Sequence, residues 1–323
     1  MHKGSLRQSA RCVFSRPNGD LTLDIPPPGT RGWRAVVRVL RSPVLRTPFH
    51  DLASVLLPSP CRVCGDPLLH VSLSPVCDTC LARILPQTTH LCIRCGESLG
   101  FESWRPREQQ VCELCRLAPP PFVRAVAYAV YQDELRRMLH LLKYEQVRAV
   151  ATPLGQLLAN TIGSLATAVP QQMTVVAVPL FASRERKRGY NQTVLIADAA
   201  LALLAKAIPG WKLTADHALL VRQRATESQF RLSPTARRTN LRGAFTAPRP
   251  ERVAGKDILL VDDIYTTGST ARECTRTLLR AGANSVIVAT LSRAQADTYT
   301  TWEQDSFAAS VSTAQAVQAQ SLH

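Results

Sequence analysis

Residues 258–270 read Ile-Leu-Leu-Val-Asp-Asp-Ile-Tyr-Thr-Thr-Gly-Ser-Thr, an apolar run that ends in two adjacent carboxylates and a small, hydroxyl-rich turn. The chemistry open to such a sequence is recognition of a sugar phosphate. A turn that opens a helix presents unpaired backbone N–H groups and the positive end of the helix dipole, which suits a phosphate. Gly268 lets the main chain approach closely, while Thr266, Thr267, Ser269 and Thr270 offer hydroxyl donors. Asp262 and Asp263, just before that nest, are placed to accept hydrogen bonds from ribose hydroxyls, directly or through Mg2+. The plain alternative is a strand, turn and helix with an ordinary N-cap. A Walker A loop is excluded by the lack of GxxxxGK[ST], and a dinucleotide fingerprint by the lack of GxGxxG.

A different chemistry is carried by the cysteines, eight of ten falling in four CxxC pairs: Cys61/Cys64, Cys77/Cys80, Cys92/Cys95 and Cys112/Cys115. Where thiols are kept reduced, this spacing favours zinc over disulfides, because two thiolates two residues apart reach one ion. The expected arrangement is two tetrahedral, structural sites. Cys61, Cys64, Cys77 and Cys80 would form one, and Cys92, Cys95, Cys112 and Cys115 the other. An interleaved pairing, first with third and second with fourth, satisfies the same spacing. Each half is too small to fold on apolar burial alone, so metal binding, on the order of 10–16 kcal/mol, would supply most of its folding free energy. A site closed by four thiolates has no open position for catalysis. Cys12 and Cys274 have no partner at a ligand spacing.

The net charge of +15 is concentrated in two places. Residues 1–51 carry nine Lys/Arg against three acids, residues 180–250 carry thirteen against four, and the rest of the chain balances. Two anionic contact regions follow more naturally than a uniformly basic surface. Arg184, Arg186, Lys187 and Arg188 in the second segment would face either a pyrophosphate or a DNA backbone. Tyr190, Trp211, Phe230 and Phe245 are the aromatics near that charge, candidates for base stacking or for burial.

The elements that must position these residues alternate. A strand-like run covers Val123 to Tyr131, a helical pattern follows with Leu135, Leu139 and Leu142, and a second helix is expected over 146–165. Val175–Val178 reads as an interior strand stopped by Pro179, residues 193–206 as a helix, Asp257–Val261 as a strand, Ser269–Ala281 as a helix capped by Gly282, and Val286–Leu291 as a strand. The alternation argues for an α/β fold with a parallel sheet and helices on both faces. The domains expected are a basic, disordered extension over 1–54, a double zinc ribbon over 55–118, an α/β domain over 122–293 and a disordered tail over 294–323. Within the extension, Arg31, Arg34, Arg38 and Arg41 share one helical face, a pattern suited to a membrane surface or nucleic acid. No apolar run is long enough to span a bilayer, and Arg7, Arg11 and Arg16 precede no apolar core of a secretory signal. A cytoplasmic protein without a membrane span is expected.

The Asp262–Thr270 segment resembles the phosphoribosyl-pyrophosphate (PRPP) motif of type I phosphoribosyltransferases. Joined to a cysteine module, it resembles the ComF family of competence proteins. The further stretches His140-Leu141-Leu142-Lys143-Tyr144, Val178-Pro179-Leu180, Arg188-Gly189-Tyr190-Asn191-Gln192 and Arg237 to Phe245 carry the likeness, which covers roughly residues 55–293. The resemblance implies a type I phosphoribosyltransferase-like fold behind a zinc module. It also implies handling of single-stranded DNA in natural transformation, with other DNA-uptake proteins at the inner membrane face as partners. By the same resemblance Asp262 and Asp263 would contact the ribose 2- and 3-hydroxyls and residues 266–270 the 5-phosphate. Enzymatic transfer of phosphoribose to a nucleobase or amine is the other function open to such a chain.

Overall fold

The protein is described by a computed structural model covering residues 59–68, 74–87, 90–99, 106, 109–224 and 241–295. The basic extension with its 31–41 pattern, Cys12, Phe230, the stretch from Arg237 to Asn240 and the tail beyond residue 295 lie outside the described residues.

Five strands form one parallel sheet: β1 (Arg124–Val130), β2 (Gln172–Ala177), β3 (Lys212–Ala215), β6 (Asp257–Tyr265) and β7 (Ser285–Arg293), in the order β1-β7-β6-β2-β3. All their pairings are parallel. Two short strands, β4 (Val221–Arg222) and β5 (Phe245–Thr246), make a separate antiparallel ladder.

A parallel sheet has to be covered on both faces, and the period of two along its strands divides the core accordingly. Leu259 and Val261 of β6, with Ile287, Ala289 and Leu291 of β7, join one apolar cluster with the Asp133–Tyr144, Ala151–Gly163 and Gln192–Ala207 helices. Ile258, Leu260, Val286 and Val288 point the other way, into a cluster with Ala271, Cys274 and Leu278 of the Ser269–Arg280 helix. The Ala-rich Gln192–Ala207 helix packs tightly because its partner carries Gly155, where any Cβ would strike Ala199.

The observed elements follow the expected alternation, with informative differences. The helix expected over 146–165 begins as a 3-10 turn at Arg148–Val150 and becomes α-helical only over Ala151–Gly163. β6 continues past Val261 to Tyr265, because its pairing with β7 runs on to Tyr265 opposite Arg293 and draws both aspartates into the strand. The edge strand β3 and the short Ala182–Arg188 helix, which is largely exposed and has no buried residue, lack the apolar period that marks an element in sequence. Among the described residues, no helix is long and apolar enough to cross a membrane.

The sheet order places the site. From β2 the chain moves outward to β3, whereas from β6 it moves the opposite way to β7, so the carboxyl ends of adjacent β2 and β6 bracket a crevice where ligands of open α/β sheets gather.

Candidate functional site

On one side of that crevice β6 ends in the two aspartates. Asp263 is buried, and the backbone N–H of Asp263 donates to Asp262 Oδ1 at 2.9 Å. Asp263 Oδ2 receives two further groups: the Lys143 ammonium at 2.8 Å and the Gln192 Nε2 amide at 2.8 Å. Arg188 in turn donates to Gln192 Oε1, a very short contact. Burial opposes ionisation of Asp263, but the Lys143 charge and these hydrogen bonds outweigh it and hold the carboxyl below its usual range. Burial likewise works against the charge on Lys143, and Asp263 reverses that, keeping the ammonium above the ordinary lysine range. Asp262 goes the other way: burial, then the neighbouring Asp263 charge, push it up to about 8. At neutral pH the pair therefore offers one carboxylate and one carboxylic acid, an acceptor beside a donor.

After Tyr265 the chain turns through Thr266 and Thr267 into the Ser269–Arg280 helix, with Gly268 in the left-handed region at φ 71° as its N-cap. No other residue fits at 268, since a Cβ would collide with the Tyr265 ring as well as strain the backbone. Thr267 Oγ1 and Ser269 Oγ lie 2.8 Å apart, and Thr267 Oγ1 accepts from the Ser269 N–H at 3.4 Å. The turn thus gathers hydroxyls and backbone N–H groups at the helix start.

The opposite wall follows β2. Asn191 donates to the Val178 carbonyl at 3.1 Å and caps the Gln192–Ala207 helix through Thr193 N at 3.0 Å, which fixes the loop between them. That loop contains the Ala182–Arg188 helix with Arg184, Arg186, Lys187 and Arg188, all exposed except half-buried Arg188. Arg188 turns inward to Gln192; the other three are exposed.

The cysteines assemble as two tetrads: Cys61, Cys64, Cys77 and Cys80, and Cys92, Cys95, Cys112 and Cys115, with all four sulfurs of each set within 4.8 Å of one another. This is the adjacent pairing, not the interleaved one. Sulfur separations are 4.0 Å for Cys61 and Cys80, 3.7 Å for Cys64 and Cys77, and 3.6 Å for Cys95 and Cys112. A tetrahedron with metal–sulfur bonds of ~2.3 Å has edges of about 3.8 Å, so both sets fit a metal ion. The two units repeat one design. In each, the Gly after the first CxxC takes positive φ and donates its N–H to the first Cys carbonyl at 2.8 Å, and the second CxxC opens a short helix at Asp78–Arg83 or Glu113–Leu117.

Comparison with known proteins gives these arrangements a lineage. A phosphoribosyl transferase domain profile matches residues 165–319. DNA utilization protein YhgH of Salmonella typhi is 34% identical over 239 residues, 73% of this chain and 98% of that protein. Competence protein F of Haemophilus influenzae is 27% identical over 70% of this chain and 93% of its own, and competence protein ComFC of Bacillus subtilis 27% identical over 68% and 84%. The chain belongs to the ComF family.

In this ComF-family chain the structure adds Lys143 and Gln192 to the acid pair. Sequence marked both only as parts of family-like stretches. A lysine closing a helix whose other inward positions are Leu and Met was the available signal. The aromatics near the basic segment are elsewhere engaged. Tyr190, Trp211 and Phe245 are buried; Tyr190 donates to the Leu142 carbonyl in a very short bond, and Trp211 Nε1 donates to the Pro170 carbonyl at 3.0 Å. Cys274 is also buried, its thiol pushed up by burial and by Asp262.

Proposed function

We propose that this ComF-family protein handles single-stranded DNA during uptake and utilisation on the cytoplasmic side, and that its crevice takes a ribose 5-phosphate or PRPP-like ligand. The observation that carries the pocket is the junction of the acid pair with the Thr266–Thr270 turn at the switch point of the sheet. Asp263 would accept from one ribose hydroxyl and Asp262, protonated, would exchange hydrogen bonds with another, directly or with Mg2+ replacing the proton. Thr266, Thr267, Ser269 and Thr270 and their N–H groups would hold the 5-phosphate, with Gly268 keeping the turn open. Zn2+ in both tetrads would be structural, since four thiolates close its coordination. The DNA role rests on the relatives named for DNA utilization and competence, and on the exposed Arg184, Arg186 and Lys187 of the Ala182–Arg188 helix.

Calorimetry with ribose 5-phosphate and with PRPP tests the pocket. Binding by the parent and none by Asp263→Asn is expected, and unchanged affinity in the variant would refute the assignment. Titration of a single-stranded oligonucleotide across salt concentrations tests the DNA role, because several phosphate contacts must release counterions. A flat log affinity against log salt would sink it.

A second reading is favoured by Arg188, which is linked through Gln192 to Asp263. Arg188 and the exposed cations of its helix would stabilise pyrophosphate as it leaves the sugar C1 while a nucleobase or amine nitrogen forms the new bond and gives up its proton. Release of pyrophosphate from PRPP in the presence of such acceptors, and not in their absence, would establish it.

A further inference from the structure

The reading as a single-strand handler calls for aromatic faces on which bases can stack, and the three described candidates next to the basic segment point into the core. Tyr144 is the exposed aromatic. At 63% exposure it is the largest aromatic surface among the described residues, and it sits at the last position of the Asp133–Tyr144 helix. Its ring is already one layer of a stack: His140, one turn earlier, lies with its ring centroid 4.7 Å away at a 42° tilt. Arg188 brings its guanidinium to 5.8 Å from the Tyr144 centroid. Nearby Arg148 lies over the Tyr190 ring at 4.6 Å and donates to the Gly189 carbonyl at 3.3 Å, adding a second cation to the same edge. The acid closest to the stack is Glu145, and it is matched by Arg62 at 3.1 Å and faced by His140 at 3.4 Å.

We infer that Tyr144, backed by His140 and flanked by Arg188, is a stacking platform for a base of single-stranded DNA. This deepens the DNA-handling reading and rests on it. Position decides for a base over other flat ligands. Lys143 turns inward onto Asp263 while its neighbour Tyr144 turns outward, and Arg188 reaches both, through Gln192 to the acid and directly to the ring. A strand running along the outward-facing Arg184, Arg186 and Lys187 therefore meets an aromatic face where the cations end. Cations for the backbone beside a π face for the base are the two parts a sequence-tolerant single-strand binder needs.

Fluorescence anisotropy with an oligothymidylate and with an abasic strand of equal length tests the platform in the full-length protein. The parent should bind the base-bearing strand roughly 5- to 150-fold more tightly than the abasic one. Tyr144→Ala should lose that preference while keeping its salt slope, and Tyr144→Phe should retain it. Since the side chain is exposed, thermal melting of the variants should match the parent. Equal base preference in Tyr144→Ala and parent, with salt-dependent binding intact in both, would overturn the platform alone. No binding of either strand by the parent would overturn the platform and the DNA-handling reading together.

Discussion

The two cysteine tetrads share a design and differ in how they are attached. The first packs Cys61, Val76, Cys80 and Ile84 against the face of the sheet covered by three helices, and its polar ties are the half-exposed pairs Arg62 with Glu145 at 3.1 Å and Arg83 with Glu134 at 3.4 Å, and one backbone bond, from Gln87 N to the Tyr128 carbonyl of β1 at 2.7 Å. The second lies on the opposite face with Phe122 and Ala125 and is bound through its backbone. Arg293, at the end of β7, donates to the Cys95 carbonyl at 2.7 Å and forms a very short pair with Glu97. Arg124 Nε donates to the Ile93 carbonyl at 3.1 Å, and Ala125 N to that of Arg94 at 2.8 Å. The same Arg293 guanidinium covers the Tyr265 ring at 4.4 Å, and Tyr265 meets Phe122 edge-on at 6.3 Å. One cysteine tetrad thus rests on the domain, while the other is joined to the residue that leads into the Thr266–Gly268 turn. A repeated local motif can acquire unequal roles purely from what lies beneath each copy.

The strongest way to break this comparison is to remove one ligand from each tetrad. On the order of 10 kcal/mol of metal-binding free energy is at stake in either. Cys95→Ser should lose one zinc by native mass spectrometry, melt the α/β domain at lower temperature and abolish ribose 5-phosphate binding. Cys64→Ser should lose one zinc and keep the binding; equal loss in both would erase the distinction. A smaller effect should separate the ties themselves. Arg293→Ala removes a buried cation from Glu97 and should cost about 3 kcal/mol in denaturant unfolding. Arg62→Ala breaks an exposed pair and should cost about 0–1 kcal/mol.

A further effect concerns pH and asks whether the acid pair answers to the first tetrad at all. Folding raises the Asp262 pKa from 3.8 to about 8, so the folded state keeps a proton that the unfolded chain releases between those values. Stability from that proton is complete below about pH 4 and is lost as pH rises toward 8. Asp262→Asn should flatten this decline, read as melting temperature against pH. The decline should persist in Cys64→Ser; if it vanishes there, the acid pair and the first tetrad are coupled.

What could be read from sequence was local. The four CxxC pairs, the acid pair and the Gly268 turn are each set by residues within a few positions, and the strands and helices around them show through their apolar periods. What was hidden depends on distant parts of the chain. Gln192 reaches Asp263 across 71 positions and Arg293 reaches Cys95 across 198, and nothing in the neighbourhood of either residue marks its partner. Composition also could not tell an aromatic that stacks outward from one that is buried. Tyr190 and Tyr144 each lie beside an arginine side chain, and only their places in the fold, Tyr190 in the bend before the Gln192–Ala207 helix and Tyr144 at the end of the Asp133–Tyr144 helix, send one hydroxyl to the Leu142 carbonyl and the other ring to the surface.

The Lys143 contact with Asp263 gives the crevice its own counter-ion. In the proposed pocket, a sugar arriving without a divalent cation would find the carboxylate already neutralised and oriented. Mg2+ at Asp263 Oδ2 would have to displace the tethered ammonium. The magnesium dependence of ribose 5-phosphate affinity is therefore a gauge of whether Lys143 stays or leaves, and Lys143→Met should make that affinity depend more steeply on magnesium.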